Sequence, residues 1–417
     1  MKEQPQAAAA PQDQHNGKKV PGRGFVSRHF GRWMALGQFG FPFSLGPYPT
    51  AVARFRALAR RTRFPGRTKQ RILARVAMTF AWPIAALREA HIIRARMQAR
   101  GQAPHGMRTL LDMYWLALRY SIPPIEYGLY RFNEPMRRLQ LHDYIYINDL
   151  PGLAALNVRS QADNRDVQDK HRFAELCVAN GFPRVPTLAT FEHGTQTWPD
   201  TQFVPSEPKL WSKSLHLKGG AGAMKWTKDG EGYRNNVGRY VAAADIGAAF
   251  GEQDCLIQPF VENHPVIART TNGALASLRI VTGLSGDGKA EFVASLLCLP
   301  HGACTTSVGG IMCAIDTETG RIVRAAYTNA RPVTDHPDTG VPIPGTIVPF
   351  WHESMEMALR AHASAFSRFA FLGWDIALTE HGPIFLETNS GWGAIFHQML
   401  EGPIGLTAFT RLVSRHV

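Results

Sequence analysis

The spacing of hydrophobic positions changes near residue 150 of this chain. Before that point, apolar side chains recur at intervals of three and four residues, as in Ile72, Leu73 and Val76 and then Ile84 and Leu87. That spacing is typical of helices, in which such positions share one face. Turn-forming Pro and Gly residues separate the apolar stretches. The front of the chain is therefore predicted to consist of several short helices.

Beyond residue 150, short β-type runs bounded by turn residues dominate the chain. Two helical stretches, Asp166–Gly181 and His352–Phe369, interrupt them. Strands mixed with few helices, without strict strand–helix alternation, indicate an α+β fold. The predicted strands are Thr187–Phe191, Leu210–Leu215, Cys255–Val261, Ala276–Leu284, Phe292–Leu299, Gly310–Asp316, Ile322–Ala326, Trp374–Thr379 and Ile384–Leu386.

Charge divides the chain at a similar place. Residues 1–140 hold 24 Lys and Arg against 6 Asp and Glu, whereas residues 141–417 hold 22 against 27. Such asymmetry concerns partners and not the fold.

Basic and apolar residues interleave over residues 54–75 and predict an amphipathic basic helix, which fits an anionic membrane surface at about 1 kcal/mol per basic residue. A solvated face, or docking onto the acidic body, is the alternative and is favoured over either partner. Nucleic acid is less favoured, because no RNP, KH or zinc-finger pattern occurs.

Composition predicts a tail and a cellular location. Residues 1–24 mix Ala, Pro, Gln, Gly and Lys without periodicity and are expected to be a disordered tail, and residues 25–140 form the basic helical region. The N-terminus lacks the apolar segment of a signal peptide. The longest apolar stretch of the front, Val76–Leu87, is shorter than the ~20 residues of a membrane span. The five cysteines form no C-x-x-C pair. We therefore expect a cytoplasmic protein with reduced thiols.

The strongest candidate for chemistry lies near the C-terminus, where two β-type runs flank a turn that contains Gly382. This pattern predicts a β-hairpin. Glu387 and Asn389 share one strand face because side chains alternate along a strand, and Asp375 lies on the neighbouring strand. Two carboxylates and an amide oxygen suit Mg²⁺. An exposed hairpin with ordinary charges is the alternative, but burying unpaired carboxylates beside apolar neighbours is costly, and a metal would remove that cost.

Two upstream features could hold phosphate. Lys213 lies in a β-type run that leads into the small-residue loop Gly219–Gly222, whose backbone N–H groups could cradle phosphate. The pattern is not G-x-x-x-x-G-K-[ST], so it is not a Walker loop, and a flexible turn is the alternative. Arg279 lies between Leu278 and Ile280 and needs a partner. Phosphate matches its planar fork, and a surface-facing or salt-bridged arginine is the alternative.

In this order of lysine, glycine loop, connector, arginine and Asp…Glu-x-Asn, the chain resembles the ATP-grasp superfamily. It looks most like the sugar-transfer-associated branch and resembles alpha-L-glutamate ligase-related proteins. The resemblance covers roughly residues 140–410, with one departure: the family often has Asn before Thr-Leu-Arg, where this chain has Ala276 and Ser277. The segments that carry it are Leu256–Pro265, Ser277–Thr282, Asp316–Gly320, His336–Gly340, Gly373–Asp375 and Leu386–Asn389.

The resemblance implies an ATP-grasp fold, in which two α+β subdomains, residues 141–260 and 261–417, clamp ATP. The basic helical region precedes both subdomains in the sequence. It also implies a role for particular residues. These are Lys170, Lys213, Gly219, Gly220 and Gly222 at the phosphates, Gln258, Pro259, Phe260 and Val261 at adenine, Glu262 or Asn263 at the ribose, Arg279 with Lys213 in catalysis, and Asp375, Glu387 and Asn389 as Mg²⁺ ligands.

Enzymes similar to this chain activate a carboxylate with ATP as an acyl phosphate, which an amine or another nucleophile then attacks. Such chemistry depends on positioning and charge neutralisation, which agrees with the lack of a Ser/His/Asp or Cys/His signature. The predicted function is therefore an ATP- and Mg²⁺-dependent carboxylate–amine ligase, placed in polysaccharide or cell-surface metabolism by family association. The alternatives are a kinase-like phosphotransferase and a basic protein that binds membrane surfaces or nucleic acid.

Overall fold

The computed structural model describes residues 40–44, 52–62, 68–102, 106–159, 162–216 and 222–416. The predicted tail at residues 1–24 and the loop residues Gly219 and Gly220 lie outside the described residues. Gly222 lies within them, and its φ of 73° is a conformation that a residue without Cβ adopts readily.

Helices form the front of the described chain and strands form most of the remainder, as the hydrophobic spacing predicted. The prediction that the front helices are all short was wrong, because Thr68–Ala99 is one helix of 32 residues that continues through Pro83. The α-helices are α1 (Ala53–Thr62), α2 (Thr68–Ala99), α3 (Gly106–Tyr120), α4 (Pro124–Tyr130), α5 (Pro135–Leu139), α6 (Leu150–Arg159), α7 (Arg165–Gln168), α8 (Lys170–Ala179), α9 (Ile246–Gly251), α10 (Pro265–Ala268), α11 (Trp351–Ala363), α12 (Ile395–Glu401) and α13 (Phe409–Val413). The strands are β1 (Ala189–Glu192), β2 (Thr195–Trp198), β3 (Lys209–Ser214), β4 (Met224–Asp229), β5 (Gly232–Asn235), β6 (Tyr240–Ala242), β7 (Cys255–Pro259), β8 (Ser277–Leu284), β9 (Ala290–Leu299), β10 (Ile311–Ile315), β11 (Ile322–Tyr327), β12 (Phe371–Thr379) and β13 (Gly382–Asn389).

The strands form two sheets whose named strands pair antiparallel. One sheet has seven strands in the order β2-β1-β7-β3-β4-β5-β6. The other has six strands in the order β11-β10-β9-β8-β12-β13. The antiparallel pairing and the segregation of the helices confirm the predicted α+β class.

The six-stranded sheet is covered on both faces. On one face, Leu278 and Phe385 share a core with α11. On the other face, Leu296 packs in a core with Tyr130 of α4 and Met399 of α12. The helical front of the chain therefore shares a hydrophobic core with this sheet.

One predicted helix is divided in two. The spacing over Asp166–Gly181 predicted a continuous helix, but Asp169 separates α7 from α8. Asp169 has extended dihedrals, and its carboxylate accepts hydrogen bonds from the backbone N–H groups of His171 at 2.8 Å and Arg172 at 3.2 Å. An N-cap of this kind satisfies donors that have no partner within the helix. The cap places Lys170 at the first position of α8.

The basic segment over residues 54–75 does not present all its charges to solvent. It falls partly on α1 and partly on α2, and residues 63–67 lie outside the described residues. Arg56 of α1 is 6% exposed, and its Nε donates to Asp149 at 3.2 Å. Its Nη1 also donates to the carbonyl oxygen of His142 at 2.8 Å. Arg56 therefore holds the helical front together instead of facing a partner.

Candidate functional site

The predicted hairpin brings the three candidate metal ligands together. β12 and β13 pair so that Asp375 lies directly opposite Glu387 and Gly373 lies opposite Asn389. Nδ2 of Asn389 lies 3.4 Å from an oxygen of each carboxylate. Two carboxylates and an amide therefore converge at one end of the hairpin.

A β-bulge decides which face of the sheet Glu387 occupies. The pairing shifts between Asp375 and Ile376, so Ile376 lies opposite Phe385 and Leu386 is the extra residue. Phe385 enters the core on one face. Strict alternation would place Glu387, two residues later, on that same face. The extra residue turns Glu387 to the other face, beside Asp375.

Arg279 holds Asp375 in a bidentate pair. Its Nε donates to Oδ1 at 2.7 Å and its Nη2 donates to Oδ2. The two residues lie opposite each other on β8 and β12, and the Asp375 side chain is only 10% exposed. The resemblance implied that Arg279 faces a phosphate and Asp375 a metal, whereas here the two side chains bind each other. This is the salt-bridge alternative weighed from the sequence, and it leaves Nη1 outside the pair.

Burial and charge act against each other within this pair. Burial raises the pKa of Asp375, the Arg279 guanidinium opposes the rise, and the negative charge of Glu387 adds to it. Burial alone would lower the pKa of Arg279, but the attraction of Asp375 raises it above its usual value. Two adjacent carboxylates thus share one guanidinium, so a further cation near Glu387 would be electrostatically favourable.

Two lysines approach the same carboxylates. Lys213 of β3 is half-buried, and burial lowers its pKa while Glu387 opposes that change. Nζ of Lys170 donates to the carbonyl oxygens of Ser214 at 2.7 Å and Leu215 at 3.2 Å. Burial, followed by the charge of Lys213, lowers the pKa of Lys170 to about 8. The six side chains that come together, called the charged cluster below, are Lys170, Lys213, Arg279, Asp375, Glu387 and Asn389.

The segment Gln258–Val261, predicted to contact adenine, begins on β7 and leaves the sheet beside β3. The backbone N–H of Phe260 donates to the carbonyl oxygen of Lys209 at 3.0 Å. Glu262 is exposed and forms an ion pair with Lys209. The connector therefore lies beside the first residue of β3, the strand that also carries Lys213. Its contacts with a nucleotide stay a prediction.

Asn263 fastens this connector to the start of β8. Its amide donates to the carbonyl oxygen of Ala274 and accepts from the backbone N–H of Ala276, both at 2.8 Å. Both polar ends of the amide are thus used within the protein. Of the two residues predicted near the ribose, Glu262 is exposed and Asn263 is half-buried.

The sequence did not indicate His397 of α12. Its side chain is 1% exposed, its Nδ1 lies 3.2 Å from the carbonyl oxygen of Gly393, and its Nε2 has no hydrogen-bond partner among the described residues. Burial, followed by the positive charge of Arg279, lowers its pKa to about 3. The imidazole is therefore neutral, and Nδ1 donates to Gly393. No local pattern marks this residue, because it becomes a neighbour of Arg279 only when α12 packs on the sheet.

The donor set of the hairpin fits a hard divalent cation. Carboxylate and amide groups supply oxygen ligands, and Mg²⁺ takes one or two carboxylates together with substrate phosphate oxygens. Within the described ranges no group of three or more His, Cys, Asp and Glu side chains could hold a metal ion. A site at Asp375 and Glu387 would therefore depend on the Asn389 amide or on oxygens from a substrate.

Comparisons with known proteins bear on the same part of the chain. A family model described as "Sugar-transfer associated ATP-grasp" matches residues 154–413, more than half of the chain and all of the charged cluster. A search of the curated proteins found no match.

Several solved structures are similar to the chain at low identity. D-alanyl-alanine synthetase A from Vibrio cholerae is 13% identical, with 60% of this chain and 63% of that chain covered and a TM-score of 0.35. An L-amino acid ligase from Bacillus licheniformis is 10% identical, covering 60% of this chain and 48% of that one at a TM-score of 0.35. Biotin carboxylase from Campylobacter jejuni is 12% identical, covering 60% and 46% at a TM-score of 0.33. The chain thus spans between 46% and 63% of the length of these proteins.

Proposed function

Since the chain belongs to the sugar-transfer-associated ATP-grasp family, we propose that it is an ATP- and Mg²⁺-dependent ligase. It activates a carboxylate as an acyl phosphate for attack by an amine or another nucleophile. We place its substrates in polysaccharide or cell-surface chemistry, because the description of the family refers to sugar transfer.

One observation carries this proposal: cationic and anionic side chains from both sheets converge in the charged cluster. Lys213 comes from the seven-stranded sheet, and Arg279, Asp375 and Glu387 come from the six-stranded sheet. Phosphoryl transfer depends on positioning and on neutralising charge in the transition state. Leaving these partly buried charges without ligands is costly, and a triphosphate with a divalent cation would complement both signs.

The proposed reaction needs no nucleophile from the protein. An oxygen of the substrate carboxylate attacks the γ-phosphorus of ATP, the bond from that phosphorus to the β–γ bridging oxygen breaks, and ADP leaves. The nucleophile then attacks the carbonyl carbon of the acyl phosphate. The carbon–oxygen bond to phosphate breaks, inorganic phosphate leaves, and an amine nucleophile gives up a proton to form the amide.

The residues of the charged cluster have different roles in this reaction. Arg279, through the Nη1 that Asp375 does not use, and Lys213 offset negative charge on the transferred group. Lys170 and the loop that ends at Gly222 hold the phosphates. Asp375, Glu387 and Asn389 would hold Mg²⁺, which would neutralise phosphate oxygens when bound. The connector Gln258–Val261 contacts adenine through its backbone, and Glu262 or Asn263 lies near the ribose.

Nucleotide binding tests the proposal directly. Calorimetric titration of the whole chain with a non-hydrolysable ATP analogue and Mg²⁺ is expected to show one site. Glu387→Gln keeps the shape of the side chain but removes its charge, and it should weaken Mg²⁺–nucleotide binding by about tenfold or more. Glu380→Gln is the matched control, because Glu380 is exposed in the turn of the same hairpin. If the unaltered chain binds no nucleotide, or if the two variants bind it equally well, the proposal fails.

The product identifies the reaction class. A screen of amino acids, sugar acids and other carboxylates for substrate-dependent ADP release would be followed by trapping with hydroxylamine. An acyl phosphate reacts with hydroxylamine to give a hydroxamate, which supports the ligase. A stable phosphorylated product without hydroxamate would instead support the kinase-like alternative.

A further inference from the structure

Helix α2 exposes an apolar face. Six large apolar side chains of this helix are between 45% and 72% exposed. Their spacing of mostly three and four residues places them on one face, spanning about 22 Å along the axis at ~1.5 Å per residue. The members of this exposed apolar stripe are Ile72, Leu73, Val76, Phe80, Ile84 and Leu87.

A different face of α2 is already packed against the protein. Met78, Trp82 and Ala86 are buried in a core with Ala117 of α3. Nε1 of Trp82 also donates to the carbonyl oxygen of Ala117 at 3.3 Å. These contacts fix the rotation of α2, so the stripe cannot turn inward without breaking a core.

The neighbouring helix has the same property. Met107, Leu111 and Trp115 of α3 recur every four residues and are 61%, 59% and 51% exposed. Two helices packed on each other thus both expose apolar side chains at helical spacing. Isolated exposed apolar residues need no explanation, but ordered rows of them mark interaction surfaces.

The charges that accompany the stripe have one sign. Residues 68–99 contain six Lys and Arg and a single acidic residue, Glu89, which is buried. Lys69, Arg71 and Arg88 are exposed close to the stripe. A partner that faces this helix therefore meets apolar and positively charged groups together.

We propose that α2 docks on the surface of an anionic phospholipid membrane, with the exposed apolar stripe at the boundary between headgroups and acyl chains. This combination of an apolar face with Lys and Arg beside it is the chemistry of helices that lie in a membrane interface. Nucleic acid would use the basic residues and leave the apolar stripe without a partner. A second copy of the chain would bring two helices of like charge together. The proposal does not depend on the ligase activity.

The helix lies on the membrane and does not cross it. None of the described helices is long and apolar enough to serve as a membrane span. Because Trp82 and its neighbours are packed against α3, only one side of α2 is available to lipid.

Vesicle binding by the full chain tests the proposal. Co-sedimentation would compare vesicles of equal parts phosphatidylglycerol and phosphatidylcholine with vesicles of phosphatidylcholine alone, at low and physiological salt. The chain should bind the anionic vesicles, and more weakly at the higher salt. Replacing Phe80 and Ile84 by Ser should reduce binding about tenfold or more, because less apolar surface leaves water. Replacing Lys69 and Arg88 by Glu should reduce binding and its salt dependence.

The control changes exposed apolar residues elsewhere. Val204 and Val237 are 77% and 74% exposed and lie in connections of the seven-stranded sheet. Changing both to Ser should leave vesicle binding unaltered. Equal binding by this control and the Phe80/Ile84 variant would overturn the proposal, as would equal binding to neutral and anionic vesicles.

Three other results would assign these groups to a different partner. The first of them is measured by light scattering after size-exclusion chromatography. A dimer that dissociates in the Phe80/Ile84 variant, without vesicle binding, would assign the stripe to a second copy. A monomer that binds no vesicles until residues 1–39 are deleted would assign the stripe to that segment of the chain. Binding of a short DNA duplex that displaces the chain from vesicles, and that the serine changes leave intact, would assign the basic groups to nucleic acid. Each of these results contradicts membrane docking by the intact chain.

Discussion

At the scale of single residues, Glu126 is a buried carboxyl outside the charged cluster whose pKa is strongly shifted. Its carboxyl is fully buried, and it accepts hydrogen bonds from the backbone N–H of Ile147 and from the hydroxyl of Tyr130, both at 3.1 Å. Burial raises its pKa to about 8, although these hydrogen bonds oppose the rise. Glu126 therefore carries a proton at neutral pH, and it ties α4 to the short 3₁₀ helix at Ile147–Asp149.

The pH dependence of stability should report this residue. Between the ordinary pKa of 4.5 and the folded value of about 8, only the folded chain holds the proton. The contribution of Glu126 to stability therefore falls as pH rises through that window, by at most ~1.4 kcal/mol per pH unit. Glu126→Gln cannot ionise. Thermal unfolding is followed by circular dichroism at pH 5, 6, 7 and 8. The stability of the variant relative to that of the unaltered chain should increase as pH rises. Parallel profiles of the two proteins would contradict this account.

At the scale of elements, short capped helices and a bulged hairpin position the charged cluster. Asp169 caps α8 at the residue before Lys170, so the first turn of the helix sets the position of a lysine that points at the end of β3. On the other sheet, the bulge at Leu386 places Glu387 beside Asp375. The cap is made by the side chain of the residue before Lys170, and the bulge is made by the register of the β12–β13 hairpin.

Removing the α8 cap should affect both stability and nucleotide binding. Asp169→Ala leaves the N–H groups of His171 and Arg172 without their partner and should cost about 1 kcal/mol. If the proposed function is right, the affinity for Mg²⁺–nucleotide should also fall, because the first turn carries Lys170. Asp169→Asn can still cap the helix and should restore most of both properties. Thermal unfolding and calorimetry measure the two effects, and identical behaviour of the Ala and Asn variants would refute the cap as their cause.

At the scale of the whole molecule, the helical front and the six-stranded sheet form one packed unit. Leu296, Met312 and Ala326 of the sheet share a core with Tyr130 from the front of the chain. Arg279 lies directly opposite Leu296 in the sheet, so this core covers the same face that carries the Arg279–Asp375 pair. The helical front therefore packs on the face of the six-stranded sheet that carries the site.

A chain truncated to residues 141–417, the span predicted to hold both subdomains, should fold poorly. Removing the front would expose the apolar face formed by Leu296, Met312 and Ala326. We expect increased fluorescence of a dye that binds apolar surface, a lower unfolding temperature and a tendency to associate. A truncated chain that is monomeric and unfolds at the temperature of the full chain would show that the shared core is dispensable.

The local order of apolar and polar residues was enough to predict most strands and the residue types that meet in the charged cluster. The predicted Leu210–Leu215 and Gly310–Asp316 agree with β3 and β10 to within one residue at each end. Strands β2, β4, β5 and β6 were missed, because they have only three to six residues each and β2, β4 and β5 contain no apolar run. Residue types and their order also pointed to Lys213, Arg279 and the Asp…Glu-x-Asn set.

The tertiary structure decided how those residues meet. The bidentate pair of Arg279 with Asp375 and the neutral His397 beside it depend on pairing and packing between segments far apart in sequence, and the bulge that turns Glu387 depends on the register of the β12–β13 hairpin. Hydrophobic spacing reports the neighbours of a residue along the chain, and it carries no information about which strand pairs with which. Register and packing are set by all segments together, so the partners of each charge emerged only from the folded chain.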